Sequence, residues 1–277
     1  MKWLLQDSDL KIHQMNKEYS ALQSLNLGFI PFGLLEDGQL TGIYENFDRC
    51  IVRSGIKVLR LATSKKIPGI SPELQEVIKN GYDYNFENFE QSFISKFNLP
   101  LLNTDGEFID MNNPESLNVS FGNEMFIKPS NDQKAFIATI LPERQTIRSF
   151  LESIGCPLSK LKDEKLLLSS VKSLKGEYRF ICIEDSIAEV SKYMENGKLD
   201  VEGSIPQKVM DAAKEYAKLF QPANIYSMDL VETNKGIYIV EYNCWNVSGL
   251  YNIDRKSLFN KVNEYKLAIT PKSKLRM

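Results

Sequence analysis

Residues 225–243 of the chain read IYSMDLVETNKGIYIVEYN, and this stretch has the pattern of a β-hairpin. Two apolar runs flank residues 233–236, where a glycine suits a tight turn. Because alternate residues of a strand share a face, Glu241 and Asn243 are predicted to project together. In one register across the turn Asp229 lies directly opposite Glu241, and in the neighbouring register it lies one residue away. The two carboxylates are therefore predicted to be neighbours.

Opposed carboxylates of this kind need a compensating charge. Like charges facing each other across strands destabilise a sheet, and two unit charges at 4 Å repel by about 4 kcal/mol at an effective dielectric constant of 20. Oxygens of Asp, Glu and Asn are ligands that Mg²⁺ prefers. Asp229, Glu241 and Asn243 are thus candidate Mg²⁺ ligands. The alternative is a solvated hairpin, against which the apolar neighbours of these residues argue.

Two lysines in the middle of the chain are candidate phosphate ligands. Lys128 ends an apolar strand just before Pro129, where it either reaches solvent from an edge or binds phosphate from a rigid element. Lys134 follows residues 130–133, a loop of small and polar side chains suited to covering phosphates.

A further charged pair lies in the sequence Glu177-Tyr178-Arg179, at the head of a predicted strand. Glu177 and Arg179 share one face, so a carboxylate is available for hydroxyl groups and a guanidinium for phosphate oxygens. A polar strand edge with a weak surface ion pair is the alternative.

Composition excludes several classes of protein. The 277 residues have a net charge of −2, which does not indicate a nucleic-acid partner. The single histidine, His13, excludes His-rich zinc sites, and neither a GxG nor a GxxxxGK motif occurs. Four widely separated cysteines predict reduced thiols and a cytoplasmic location, and no apolar run reaches the ~20 residues of a membrane span.

Periodicity predicts an α/β (α+β) protein in three parts. Residues 1–100 alternate strand and helix, as in a small α/β unit; residues 101–170 and 171–277 are predicted to be two α+β subdomains. In detail, the pattern predicts a helix opening at Pro142, a turn at Lys175-Gly176, and core aromatic residues at Phe86, Phe89 and Phe93.

The order of these motifs resembles the ATP-grasp superfamily. The phrases FIKPSNDQKAF, GEYRFICIEDSIAEVSKY and IYSMDLVETNKGIYIVEYNCWNVSGLY are similar to those of its R2K clade, whose phage and bacterial members are related to a eukaryotic assembly factor of a translation initiation factor. The similarity covers about residues 101–254 well and the N-terminal third loosely. It implies the ATP-grasp fold, in which two subdomains grip a nucleotide, preceded by an N-terminal unit. In contrast to the family, residues 130–133 contain no glycine.

The resemblance also implies roles for individual residues. Lys128 would bind the α- and β-phosphates of ATP, and Lys134 the outer phosphates. Glu177 would bind the ribose hydroxyls and Arg179 the transferring phosphoryl group, while the Mg²⁺ ligands would be those named above. Four residues of a hinge at 167–171 would receive adenine through backbone groups and apolar side chains: Leu167, Leu168, Ser169 and Val171. Arg53 would line the acceptor side.

The implied activity is that of a ligase. A carboxylate would attack the γ-phosphate of ATP, and an amine or thiol would then displace phosphate from the acyl phosphate. Lys128 and Arg179 would act in catalysis by neutralising charge. The acceptors are unknown, and resemblance to the clade favours a protein or peptide. Two alternatives stay open: a non-catalytic ATP-binding assembly factor or chaperone, and phosphoryl transfer to a stable product.

Overall fold

A computed structural model describes residues 2–6, 12–34, 40–41, 50–54, 97–113, 115–130, 135–162 and 164–269. Within these residues the strands form three sheets. The strands are β1 Lys2–Gln6, β2 Phe29–Leu34, β3 Leu40–Thr41, β4 Cys50–Arg53, β5 Glu107–Asp110, β6 Met125–Pro129, β7 Thr139–Leu141, β8 Lys165–Ser170, β9 Leu174–Ile183, β10 Ser186–Glu195, β11 Lys198–Leu199, β12 Ile225–Thr233 and β13 Ile237–Cys244. The helices are α1 Ile12–Ser24, α2 Ile147–Ser153, α3 Gln207–Leu219 and α4 Arg255–Ile269.

The first sheet has the order β3-β2-β1-β4, with β1 parallel to both β2 and β4. A parallel pair needs a crossover connection, and α1 lies between β1 and β2 in the chain. The β-α-β alternation predicted here is confirmed. Trp3 and Leu22 of this unit are buried in one core with Trp245 and Phe259. The predicted core residues Phe86, Phe89 and Phe93 lie outside the described residues.

The second sheet is antiparallel, with the order β5-β8-β6-β7. Helix α2 packs on it through Ile147, Phe150 and Leu151, which are buried with the apolar residues of β8. The prediction that this helix opens at Pro142 is wrong. The helix begins at Ile147 because the Thr146 side chain accepts a hydrogen bond from the backbone N–H of Ser149, which caps the first turn.

The third sheet is antiparallel, with the order β11-β10-β9-β12-β13, and α3 packs on one of its faces. The hairpins predicted around residues 184–186 and 233–236 are confirmed. The turn predicted at Lys175-Gly176 is wrong, because both residues lie within β9. Gly176 pairs with Glu195 of β10 and with Glu232 of β12, so pairing on both sides outweighs the local preference of glycine for turns.

The second and third sheets are joined along the chain leading into β5. The backbone N–H of Leu102 donates to the carbonyl of Ile239 at 2.9 Å, and that of Ile239 donates to Pro100 at 2.8 Å. Leu167 of β8 packs into the core of the third sheet. The division after residues 100 and 170 stays a prediction. None of the described helices is long and apolar enough to cross a membrane, and Cys156, Cys182 and Cys244 are free thiols.

We expect Leu167→Ala to lower the free energy of unfolding by about 2–5 kcal/mol, because a fully buried leucine that links two sheets would leave a cavity. Urea denaturation measures this change. The matched control is Leu199→Ala, because the side chain of Leu199 is 75% exposed. This variant should lower the free energy of unfolding by no more than about 0.5 kcal/mol. Equal losses in the two variants would contradict the assigned packing.

Candidate active site

The β12–β13 ladder places the two predicted carboxylates face to face. Asp229 pairs directly with Glu241, as predicted for one of the two registers. The register shifts immediately afterwards, so that Leu230 pairs with Ile239 and Val240 is the extra residue of a β-bulge. Both registers considered from the sequence therefore occur, one on each side of the bulge. A bulge of this kind is common beside active sites because it redirects side chains.

Asn243 connects the two carboxylates. Its Nδ2 lies 3.0 Å from Oε1 of Glu241 and 3.4 Å from Oδ2 of Asp229. The three side chains thus converge on one point, and a half-turn of the amide would present its oxygen there. Within the described part of the chain no group of three or more His, Cys, Asp or Glu could hold a metal ion. The present set is two carboxylates and an amide oxygen, which fits Mg²⁺.

Arg179 of β9 neutralises Asp229. Its Nε and Nη2 donate to the two carboxylate oxygens at 2.8 and 2.6 Å, and its Nη1 donates to the carbonyl of Gly249 at 3.2 Å. Burial by itself lowers the pKa of Arg179, but the charge and hydrogen bonds of Asp229 outweigh it and hold the pKa above its usual value. A bidentate ion pair of this kind is strong and has a fixed orientation.

Lys128 neutralises Glu241 from the other sheet. Its Nζ lies 3.1 Å from Oε2 of Glu241, with both side chains largely buried. Lys128 is on β6 and Glu241 on β13, so this ion pair spans the second and third sheets. The charge that the sequence analysis assigned to a metal is therefore supplied here by a lysine and an arginine.

Glu177 lies on the same face, next to an aromatic residue that the sequence analysis missed. The hydroxyl of Tyr193 donates to Oε2 of Glu177 at 2.8 Å. Burial raises the pKa of the Glu177 carboxyl, the Tyr193 hydrogen bond lowers it, and the charges of Asp229 and Glu241 raise it further. Burial also raises the pKa of Tyr193 well above its usual value, so its phenol keeps the proton that it donates.

A second tyrosine beside Arg179 was also missed. Tyr251 stacks on Tyr193, and both rings lie within 6 Å of the Arg179 guanidinium carbon. Tyr193 and Tyr251 end two of the three phrases that carry the family resemblance, but no local pattern indicates that they meet. Two register shifts in the β9–β10 ladder move Tyr193 along the strand, whereas an unbroken hairpin would place it opposite Gly176. Such shifts depend on pairing between strands rather than on local sequence.

The predicted hinge residues lie in β8 and directly after it. Leu167 and Leu168 are in an inner strand of the second sheet, with their backbones paired on both sides and their side chains in two cores. Ser169 is buried and donates to Asn103 at 3.1 Å. The role of these residues in receiving adenine stays a prediction. The accessible hinge is the segment 170–173, where Val171 is 44% exposed.

A cavity of about 450 Å³ lies at this hinge. Residues 170–173 form one wall, and the β12–β13 turn with Tyr238 forms another. Asp105, also in the lining, accepts hydrogen bonds from the backbone and side chain of Ser170 and from Lys172. These contacts fix the course of the hinge beside the cavity.

The two other predicted residues are Lys134 and Arg53. Lys134 is outside the described residues. Arg53 is buried and anchors the N-terminal unit: it donates to the carbonyls of Trp245 and Ser248 and forms an ion pair with Glu18 at 3.2 Å. The structure thus brings together six predicted residues, namely Lys128, Glu177, Arg179, Asp229, Glu241 and Asn243.

Comparison with solved structures defines the class of fold. D-cycloserine synthetase DcsG matches with a TM-score of 0.61 and 13% identity, covering 96% of this chain and 100% of that one. D-alanine–D-alanine ligase from Bacillus anthracis, complexed with ATP, matches with a TM-score of 0.61 and 12% identity, covering 97% and 98%. A RimK domain ATP-grasp protein from Sphaerobacter thermophilus matches with a TM-score of 0.55 and 11% identity, covering 90% and 92%. The chain has the ATP-grasp fold.

A family model then narrows the class. Residues 110–260, more than half of the chain, match the ATP-grasp domain of R2K clade family 2. The chain belongs to this family, which confirms the resemblance noted in its sequence. A search of curated protein sequences finds no match.

We expect Arg179→Met to lower the free energy of unfolding by about 3–5 kcal/mol, because Asp229 would be left charged and buried without its partner. The double variant Arg179→Met/Asp229→Leu should recover most of this loss, since both charges are then removed. Urea denaturation of the unmodified protein, the single variant and the double variant measures these changes in the free energy of unfolding.

The control for this prediction is Lys208→Ala. Lys208 also pairs with a carboxylate, Glu232, but its side chain is 62% exposed, so the loss should stay below about 1 kcal/mol. If Arg179→Met is no less stable than this control, the Arg179–Asp229 pair does not have the buried character described above.

Proposed function

We propose that the protein is a Mg²⁺- and ATP-dependent ligase that joins a carboxylate to an amine or thiol. The observation that carries this proposal is the convergence of two cations, three carboxylates and one amide on the facing surfaces of two sheets. Membership of the ATP-grasp family and likeness in fold to ligases support it.

Each part of ATP has a candidate partner. The cavity at hinge residues 170–173 would receive adenine, and Glu177 lies next along β9 for the ribose hydroxyls. Lys128 would bind the α- and β-phosphates, and Arg179 the transferring phosphoryl group. Asp229, Glu241 and Asn243 would hold Mg²⁺, which neutralises phosphate charge when bound.

The ion pairs of the site suggest how the chain accommodates ATP. Lys128 forms an ion pair with Glu241. When Lys128 binds a phosphate of ATP instead, the Glu241 carboxylate loses this partner and can bind another cation. Arg179 keeps Asp229 oriented from the opposite side through hydrogen bonds to both of its carboxylate oxygens. The two sheets thus carry neighbouring positive and negative side chains. A negatively charged nucleotide can bind the positive ones in place of their present carboxylate partners.

The chemistry then needs positioning more than covalent help from side chains. A substrate carboxylate oxygen attacks the γ-phosphorus of ATP, ADP leaves, and an acyl phosphate forms. The amine or thiol attacks the carbonyl carbon, the carbon–oxygen bond to phosphate breaks, and the proton lost by the nucleophile leaves with the phosphate. Lys128 and Arg179 would stabilise the charge that develops on phosphoryl oxygens.

The acceptors are proposed only as a class. A protein or peptide carboxylate or amine is favoured by the resemblance to the clade, and the substrate would enter from the side of the N-terminal unit. The cytoplasmic location inferred from the cysteines stays a prediction.

We expect Glu241→Gln and Asn243→Ala each to lower ADP release at least about 100-fold, because the first removes the negative charge of a metal ligand and the second removes an oxygen ligand. The assay supplies Mg·ATP with pooled amino acids, peptides and host extract, and reads ADP, phosphate and product masses. Phosphate retained on the acceptor would indicate transfer to a stable phospho-product instead.

The matched control for these variants is Asp185→Asn, which changes an exposed carboxylate at the β9–β10 turn. Its rate should equal that of the unmodified protein, and urea denaturation should show that all three variants fold. If Glu241→Gln and Asn243→Ala turn over ATP as fast as this control, the site assignment is wrong.

One observation favours the alternative of a non-catalytic ATP-binding assembly factor. The guanidinium of Arg179 donates from all three of its nitrogens, to Asp229 and Gly249, rather than pointing into open space. A binding module needs no cation on the transferring phosphoryl group. Stoichiometric Mg·ATP binding, with no ADP released across the whole acceptor pool, would support this second function.

A further inference from the structure

Tyr193 and Glu177 are joined through an irregularity of the β9–β10 ladder. Lys192 pairs with Tyr178 and Met194 with Glu177, so Tyr193 is the extra residue of a bulge. From this position its hydroxyl donates to the Glu177 carboxylate at 2.8 Å. Tyr193 thus occupies one side of the carboxylate that the proposed function assigns to ribose.

Tyr251 reaches the same place from the loop after β13. Its φ of 42° is in the left-handed region, which is unfavourable for a residue with a side chain. Two contacts hold the backbone there: the carbonyl of Tyr251 accepts from Arg255 at 3.2 Å, and the N–H of Asn252 donates to the Ser191 hydroxyl at 3.2 Å. Strain that neighbouring contacts maintain is typical of functional sites.

The two rings form one stack beside Arg179. Their centroids are 4.8 Å apart with planes inclined by 11°. The guanidinium carbon of Arg179 lies 5.8 Å from the centroid of Tyr193 and 5.2 Å from that of Tyr251, within the range of a cation–π attraction. The bulge residue Tyr193 and the strained loop residue Tyr251 come from separate parts of the chain. Both therefore place their rings beside Arg179, which is paired with Asp229.

We propose that Tyr193 and Tyr251 are positioning residues for nucleotide binding: the Tyr193 hydroxyl orients the Glu177 carboxylate, and the Tyr251 ring holds the Tyr193 ring in place against Arg179. This inference rests on the proposed function, because it takes Glu177 to contact the ribose of ATP. It adds two residues that act through others and need not touch the nucleotide themselves.

The test is the dissociation constant of Mg·ATP compared with that of Mg·2′,3′-dideoxy-ATP, measured by titration calorimetry. The unmodified protein should bind ATP more tightly, because only ATP offers ribose hydroxyls to Glu177. Tyr193→Phe should weaken ATP binding about tenfold and leave dideoxy-ATP binding nearly unchanged, so that the ratio of the two constants falls towards one. Tyr251→Leu should shift the ratio in the same direction, whereas Tyr251→Phe, which keeps the stack, should retain it.

A double-mutant cycle separates positioning from a general loss of structure. In a Glu177→Gln background, Tyr193→Phe should have little further effect, because the group that it orients is gone. The matched control is Tyr265→Phe, which removes another tyrosine hydroxyl bonded to a glutamate, Glu184, at the far end of β9. It should leave both constants unchanged.

Different results would overturn the positioning role of the two tyrosines and the proposed function. If Glu177→Gln lowers the ratio and Tyr193→Phe does not, or if Tyr193→Phe weakens both nucleotides equally, the positioning role is overturned and the proposed function stands. If the unmodified protein shows no binding of Mg·ATP, the proposed function is overturned and the inference with it.

Discussion

The pair of carboxylates that face each other on neighbouring strands is the constraint on which the rest of the site depends. Asp229 and Glu241 are register partners, and two like charges at such a distance repel. The fold offsets this repulsion from two directions, with Arg179 in the same sheet and Lys128 from the opposite sheet. Because one of these cations belongs to another sheet, the ion pair that compensates Glu241 also joins the second and third sheets.

Three backbone irregularities lie close to these charges. The β12–β13 ladder shifts register directly after Asp229, the β9–β10 ladder shifts at Tyr193, and Tyr251 has a positive φ. Each departure from regular geometry redirects a side chain that regular alternation would place elsewhere. The paired strands on either side supply the frame that tolerates them.

The N-terminal unit is tied to the loop that bears Tyr251. Asn246 donates from its side chain to the carbonyl of Val52 at 2.7 Å, and the N–H of Ser54 donates back to the carbonyl of Asn246 at 3.0 Å. Arg53 adds hydrogen bonds to two carbonyls of the same loop. These hydrogen bonds hold the first sheet against the loop from which Tyr251 joins the aromatic stack.

The sequence by itself determined the two hairpins of the third sheet and limited the pairing of Asp229 and Glu241 to two registers, because these features depend on short-range alternation and turn chemistry. The ATP-grasp family was indicated separately, by the resemblance of three phrases of the sequence. Only the tertiary structure decided which cations neutralise the carboxylates and which hinge residues stay accessible. The apolar character of Leu167 did not by itself distinguish a core residue from a residue of the predicted adenine hinge. Its burial depends on pairing with β5 and β6, which are far away in the chain. Nor could Tyr193 be placed beside Glu177, because long-range strand pairing sets the register shifts that bring them together.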